Sequence, residues 1–228
     1  MIETIENQYR FTYPALYRQL FQNQMLNWGL PHGNWYTQVF PILSVSPPLL
    51  LFARDFEIMD FPSIQEELAN IPEYWNPVHT FIPFAKSGAG DWYAFYPNLK
   101  DNVNIPIAFV WHDSNETSLL AKNLQDFIFR SMLEAVNDIS DDALVWQGDF
   151  QQNLLRMLTT HRPYLTPRQA GILEEIYQRP VKEYWYKLPK GREMTAKGIL
   201  DNQELASLLK AEIDFPHFNY SFPNQLDE

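Results

Sequence analysis

The sequence predicts a globular protein of mixed helices and strands, and three observations carry that expectation. Two apolar, strand-like runs flank a glycine turn in residues 81–97, Phe-Ile-Pro-Phe-Ala-Lys-Ser-Gly-Ala-Gly-Asp-Trp-Tyr-Ala-Phe-Tyr-Pro. Residues 118–136 place Leu120, Leu124, Phe127, Ile128, Met132 and Leu133 on one helical face. Hydrophobic residues make up 46% of the chain and aromatic residues 15%, which supplies a packed core and argues against disorder.

Taken in order, the first helix is expected over residues 14–25, because Pro14 suits a first turn and Leu16, Tyr17, Leu20 and Phe21 recur at helical spacing. Gly29, Pro31 and Gly33 end it. Short β-rich runs follow at residues 35–40 and 49–53, separated by Pro41 and by Pro47-Pro48, which do not fit a central strand. Residues 56–60 read as a further short strand, and Ser63 with Glu66 as a capping box for a helix to about residue 69. After the hairpin at 81–97, residues 105–111 form another apolar strand, and the helix at 118–136 is expected to cover the sheet.

The polar, acidic stretch 137–142 is the best candidate boundary, dividing residues 1–140 from a C-terminal extension over 141–228. In the extension, residues 149–158 look helical, and Thr166-Pro167-Arg168-Gln169 predicts a capped helix to about residue 177. Residues 181–188 alternate like a strand, and the turn Pro189-Lys190-Gly191-Arg192 lets residues 193–199 pair back with it. A last helix over about 202–211 precedes an aromatic tail.

Several functions are excluded or left weak. Without Cys there is no disulfide, no thiolate metal site and no thiol nucleophile. The N-terminus has neither the basic nor the apolar segment of a secretory signal, and no apolar run approaches a bilayer span, so a cytoplasmic protein is expected. Asn115-Glu116-Thr117 and Asn219-Tyr220-Ser221 match the glycosylation sequon, which has no use without secretion. Gly88-Ala89-Gly90 lacks the third glycine and the following helix of a nucleotide-binding loop, and a hairpin turn explains it. His32, His79, His112, His161 and His217 are scattered, and only His112-Asp113 with Glu116 forms a local cluster suited to metal or acid-base work. Asp113 or Ser114 is more economically read as part of the loop leading to the helix expected over 118–136. Asp138, Asp141 and Asp142 lack the spacing of a calcium loop. Lys182, Lys187, Lys190, Arg192 and Lys197 interleave with Tyr184, Trp185 and Tyr186 in the manner of a nucleic-acid surface, but Glu183 and Glu193 dilute the charge and a half-buried strand gives the same pattern.

The net charge of −11 is unevenly spread: residues 1–149 hold 7 Lys and Arg against 18 Asp and Glu, whereas residues 150–228 hold 10 of each. Such a field repels nucleic acids and anionic membranes and attracts a basic protein, although solubility alone accounts for it equally well.

Residues 56–134 resemble the SUKH superfamily. The resemblance rests on Phe56-Glu57-Ile58-Met59 and the short helix near Ser63-Ile64, on Phe81-Ile82-Pro83-Phe84-Ala85 and Gly90-Asp91-Trp92-Tyr93-Ala94-Phe95, on Ile107-Ala108-Phe109-Val110-Trp111-His112-Asp113, and on the closing helix with Leu120-Ala121 and Leu124-Gln125-Asp126-Phe127-Ile128. Tyr13-Pro14-Ala15-Leu16-Tyr17 is similar to the family's opening helix, while residues 31–48 match poorly. The resemblance implies an α+β fold in which a curved, mostly antiparallel sheet is backed by helices; residues after about 141 do not match it and read as an α/β extension of unknown role. It also implies a bacterial immunity protein that binds and neutralises a cognate toxin, often a nuclease, with no catalytic residues and no cofactor. Asp91, Trp92, Tyr93, Asp113 and Glu116 are the partner-binding positions expected to lie on or next to the partner surface. Trp92 and Tyr93 point to opposite faces of their strand, so a one-sided sheet would fully bury at most one of them. A regulatory scaffold for a cellular protein is the second reading, and an enzyme built on His112-Asp113-Glu116 the third.

Overall fold

The computed structural model describes residues 2–29, 33–101, 103–188, 191–213 and 215–226. The chain runs through α1 (Ile2–Tyr9), α2 (Ala15–Gln22), a π-helical turn (Trp35–Val39) leading into α3 (Phe40–Leu43), β1 (Glu57–Ile58), α4 (Phe61–Ala69), β2 (Ile82–Lys86), β3 (Trp92–Phe95), β4 (Ile107–Val110) and β5 (Thr117–Ala121). It continues through α5 (Leu124–Glu134), α6 (Phe150–His161), α7 (Pro167–Ile176), β6 (Lys182–Lys187), β7 (Glu193–Gly198), α8 (Asn202–Ile213) and β8 (Ser221–Phe222). The fold is α+β. Its segments gather into two compact units, Met1–Asn27 with Asp55–Phe127 and Phe215–Glu228, and Trp28–Arg54 with Ile128–Asp214. The polar stretch 137–142 lies inside the second unit.

The first unit is built on an open, antiparallel six-stranded sheet in the order β1-β2-β3-β4-β5-β8. Strands β1 to β5 are joined in sequence order, and the C-terminal tail adds β8 along the outer edge of β5, pairing Thr117 with Phe222 and Ser118 with Ser221. Both faces of this sheet are covered. On one, Phe81, Trp92, Ala94, Tyr96, Ala108, Val110 and Leu119 form a buried cluster that Trp75, Phe215 and Phe222 pack against. On the other, Tyr93, Phe84 and Phe95 meet Phe56, Tyr17 and Phe127 through ring contacts of 5.4–6.4 Å. A β-bulge between Pro83 and Ala85 accommodates the proline within β2.

Local chemistry explains where the elements begin. Asp60, rather than Ser63, caps α4: its Oδ1 accepts from Ser63 N at 2.8 Å, and Pro62 sits in the first turn. The helix expected over 118–136 begins only at Leu124, where Asn123 Oδ1 accepts from Asp126 N at 2.9 Å. Residues 117–121 form strand β5 instead, because Thr117, Leu119 and Ala121 alternate with half-exposed Ser118 and Leu120, a period of two.

In the second unit, Asp149 caps α6 and a complete capping box at Thr166 and Gln169 starts α7, the latter as expected. Helix α8 and the β6–β7 ribbon also follow the sequence pattern. The expected turn residues Pro189 and Lys190 lie outside the described residues, as do Pro31 and His32. Two expected strands are absent. Residues 35–40 coil into the π-helical turn with Pro41 in the first turn of α3, and residues 49–53 form a buried turn. Leu49, Leu50 and Leu51 are wholly buried there, and Leu50 takes a left-handed φ of 55° that no strand contains. Its N–H is satisfied by His161 Nε2 at 2.9 Å, so a continuous apolar run has been buried without a ladder.

Candidate functional site

The turn between β2 and β3 and the turn between β4 and β5 lie at the same end of the sheet, since Lys86 pairs with Trp92, Trp92 with Val110 and Val110 with Thr117. The first turn is tight. Ser87 N donates to Asp91 O at 2.9 Å, Gly90 N donates to Ser87 O at 3.0 Å, and Gly90 adopts a φ of +101°, which favours glycine. Ser87 Oγ accepts from Ala89 N and Asp91 N while donating to Asp91 Oδ2 at 2.8 Å. Asp55 braces the turn from outside, its Oδ1 accepting from Gly88 N at 2.7 Å and its carbonyl from the Tyr93 hydroxyl at 3.1 Å.

Asp91 links the two turns. Its carboxylate is buried, and Oδ1 accepts from both His112 N at 3.0 Å and His112 Nδ1 at 2.7 Å. Burial by itself would raise the Asp91 pKa, but the hydrogen bonds from the His112 side chain, the His112 backbone and Ser87 outweigh it and hold the group ionised. The hydrogen bond to Asp91 in turn raises the pKa of His112, with the nearby Asp91 and Asp113 charges adding to it. From the other side, Asn115 Oδ1 accepts from Asn224 N at 2.8 Å and Gln225 N at 2.7 Å, so the C-terminal tail pins the same loop.

What this scaffold presents is Asp113 and Glu116, both exposed, with Trp111 packed edge-on against Phe109 at 4.9 Å and 39% exposed. Asp55 and Glu57 add exposed carboxylates at the same end. Of the five residues expected on or next to a partner surface, Asp113 and Glu116 are exposed and Asp91 is the buried strut beneath them. Trp92 is 6% exposed in the apolar cluster, and Tyr93 is half-buried on the opposite face. Both faces of the sheet being covered is why neither aromatic stands free. Trp111, Ser87, Asp55 and Asn115 were not expected as site residues from the sequence. The Ser-x-x-x-Asp spacing around a double-glycine turn was the one legible sign of the clamp.

Ligand atoms of Asp91, His112 and Asp113 lie within 4.8 Å of one another and are the residues able to gather around a cation. Both Asp91 oxygens already accept hydrogen bonds from protein donors, so a cation there would displace the clamp. A half-open groove of about 470 Å³ in the same unit is lined by Tyr9, Leu68, Trp75, His79, Phe81 and Leu226, among others, and includes neither His112 nor Asp113.

Residues 1–130, more than half of the chain, match the SMI1 / KNR4 family (SUKH-1). The chain belongs to this family. No curated protein and no solved structure matches it significantly. SUKH-1 domains serve as immunity proteins or as SMI1/KNR4-like regulators, act on protein partners and are in general non-catalytic. Every strand from β1 to β5, with both turns, falls within the matched SUKH-1 residues, whereas β8 lies outside them and still completes the sheet. Among the described residues no helix is long and apolar enough to cross a membrane.

Proposed function

We propose that this SUKH-1 chain is a non-enzymatic, cytoplasmic immunity protein that binds and neutralises a basic cognate toxin, with the 111–116 loop at the centre of its contact surface. The observation that carries this reading is the Asp91–His112 clamp, which fixes a loop whose outward groups are an aromatic ring and carboxylates. A pre-organised loop loses little conformational entropy on binding, Trp111 supplies an apolar anchor, and Asp113 and Glu116 steer a cationic surface toward it. Asp91, Trp92 and Tyr93 then act next to the contact surface, by holding it in place. The excess of acidic residues in residues 1–149 extends the same field.

The membership of the family equally accommodates a regulatory scaffold for a cellular protein, and one experiment separates the two. Where a neighbouring gene encodes a protein with a toxic C-terminal domain, that domain is co-expressed with the chain and growth is scored; the absence of such a gene favours the scaffold. Rescue by the native chain and loss of rescue in Asp113→Lys/Glu116→Lys support neutralisation through this loop. Absence of rescue, with the toxin active and the chain folded, refutes it.

A further inference from the structure

Strand β6 carries Tyr184, Trp185 and Tyr186 in succession on a two-stranded ribbon. Its pairing with β7 sets Glu183, Trp185 and Lys187 opposite Lys197, Thr195 and Glu193, and all six are exposed, Trp185 by 73%. Tyr184 and Tyr186 occupy the other face and are half-buried. The Tyr184 hydroxyl is held there by Asn137 Nδ2 at 3.0 Å, which leaves Trp185 as the outward aromatic.

The backbone phase of β6 follows from its turn. Leu188 N donates to Arg192 O at 2.9 Å, and in an antiparallel ladder hydrogen-bonded and non-hydrogen-bonded pairs alternate. Tyr186 with Met194, Tyr184 with Ala196 and Lys182 with Gly198 are therefore the bonded pairs. The backbone groups of Glu183, Trp185 and Lys187 face away from β7. The far side of β7 has the matching phase: the carbonyl of Lys197, opposite Glu183, accepts from Ile139 N at 2.7 Å, and Ile199 N donates to Val136 O at 2.7 Å. The outer edge of β7 is thus covered by residues 136–139. The outer edge of β6 has no backbone partner among the described residues.

We propose that this edge pairs antiparallel with the same edge of a second copy of the chain, about a two-fold axis at Trp185. In that register Trp185 meets Trp185, and each Glu183 meets Lys187 of the other copy. The three outward-facing residues of one strand all find outward-facing partners, giving about six backbone hydrogen bonds. Charged side chains ordinarily protect an edge strand from pairing. Here the same charges become complementary across the axis, while a slip of two residues sets Glu183 against Trp185 and leaves Lys187 only the Glu193 of its own ribbon, 3.4 Å away. A closed two-fold contact of this kind also consumes the free edge and stops at a dimer.

Because the chain contains no cysteine, a single introduced thiol reports on the axis. With Trp185→Cys in the full chain, the two Cα atoms lie about 5.5 Å apart, within disulfide reach, whereas with Lys187→Cys they lie about 14 Å apart. Mild oxidation is expected to yield a covalent dimer of Trp185→Cys at least about tenfold faster than of Lys187→Cys, and a mixture of Glu183→Cys with Lys187→Cys is expected to cross-link to each other. Sedimentation of the native chain should show a concentration-dependent dimer. Glu183→Lys should weaken it by about tenfold or more, and adding Lys187→Glu should restore it. Trp185→Pro removes an outward N–H and the outward indole but no bond within the ribbon, so it should give a folded monomer with unchanged helix content. Equal oxidation rates at positions 185 and 187, a native chain that stays monomeric at high concentration, or a dimer indifferent to Glu183→Lys would each overturn the proposal.

Discussion

Exchanging His161 for glutamine tests how the buried turn at residues 49–52 is held. His161 is wholly buried on α6, with Nδ1 donating to Met157 O at 2.8 Å and Nε2 accepting the Leu50 N–H at 2.9 Å. Those partners fix the neutral ring, since protonating Nε2 would set one donor against another. Burial lowers its pKa from 6.5 to about 4, only partly countered by the Met157 hydrogen bond. The unfolded chain therefore takes up this proton first. Stability is undiminished above about pH 6.5, falls as the pH drops, and has lost about 3 kcal/mol by pH 4, where the unfolded imidazole is almost fully protonated and the folded one about half. Other groups titrate too: His79, also lowered by burial, acts in the same direction, and His112, raised by Asp91, in the opposite one. The difference between native chain and variant isolates His161. Urea unfolding followed by circular dichroism from about pH 8 to pH 4 should find His161→Gln less stable at the alkaline end, with the gap closing by about 3 kcal/mol on acidification. A gap independent of pH, or an NMR titration placing the folded His161 near its ordinary value, would refute the reasoning.

Two other predictions follow from close geometry. Asp91→Asn removes the carboxylate that raises the pKa of His112, so the His112 imidazole should titrate at lower pH by NMR, and hydrogen exchange of the 111–116 loop should accelerate; an unshifted His112 would show that the clamp is not electrostatic. A Cβ on Gly198 would sit 1.8 Å from the backbone carbonyl oxygen of Asn137, so Gly198→Ala must displace β7 and should cost about 3 kcal/mol in urea unfolding, while a cost below about 1 kcal/mol would contradict the close approach.

What the sequence conveyed depended on whether the deciding interaction was local. The hairpin at 81–97, the capping box at Thr166 and the β6–β7 ribbon are written in adjacent residues, and each appears in place. The run Leu49 to Phe52 was illegible because the acceptor that lets it fold as a buried turn is His161, more than a hundred residues away. Strand β8 is two residues long and exists because the edge of β5 is open to it, which nothing in Ser221-Phe222 announces. At the candidate site the carboxylates Asp113 and Glu116 were readable as exposed loop residues. The burial of Trp92 was not, because it depends on Trp75, Phe215 and Phe222 covering a face that a one-sided sheet would leave open.

Recruitment of a basic protein partner by the loop that Asp91 holds is measured as the rate of association with a purified toxic domain from a neighbouring gene, where one is encoded. The rate should fall steeply with added salt and drop about tenfold or more in Asp113→Lys/Glu116→Lys, with Trp111→Ala instead accelerating dissociation. An association rate unchanged by both charge reversal and salt, or no association at all with a folded and active toxin domain, would contradict it.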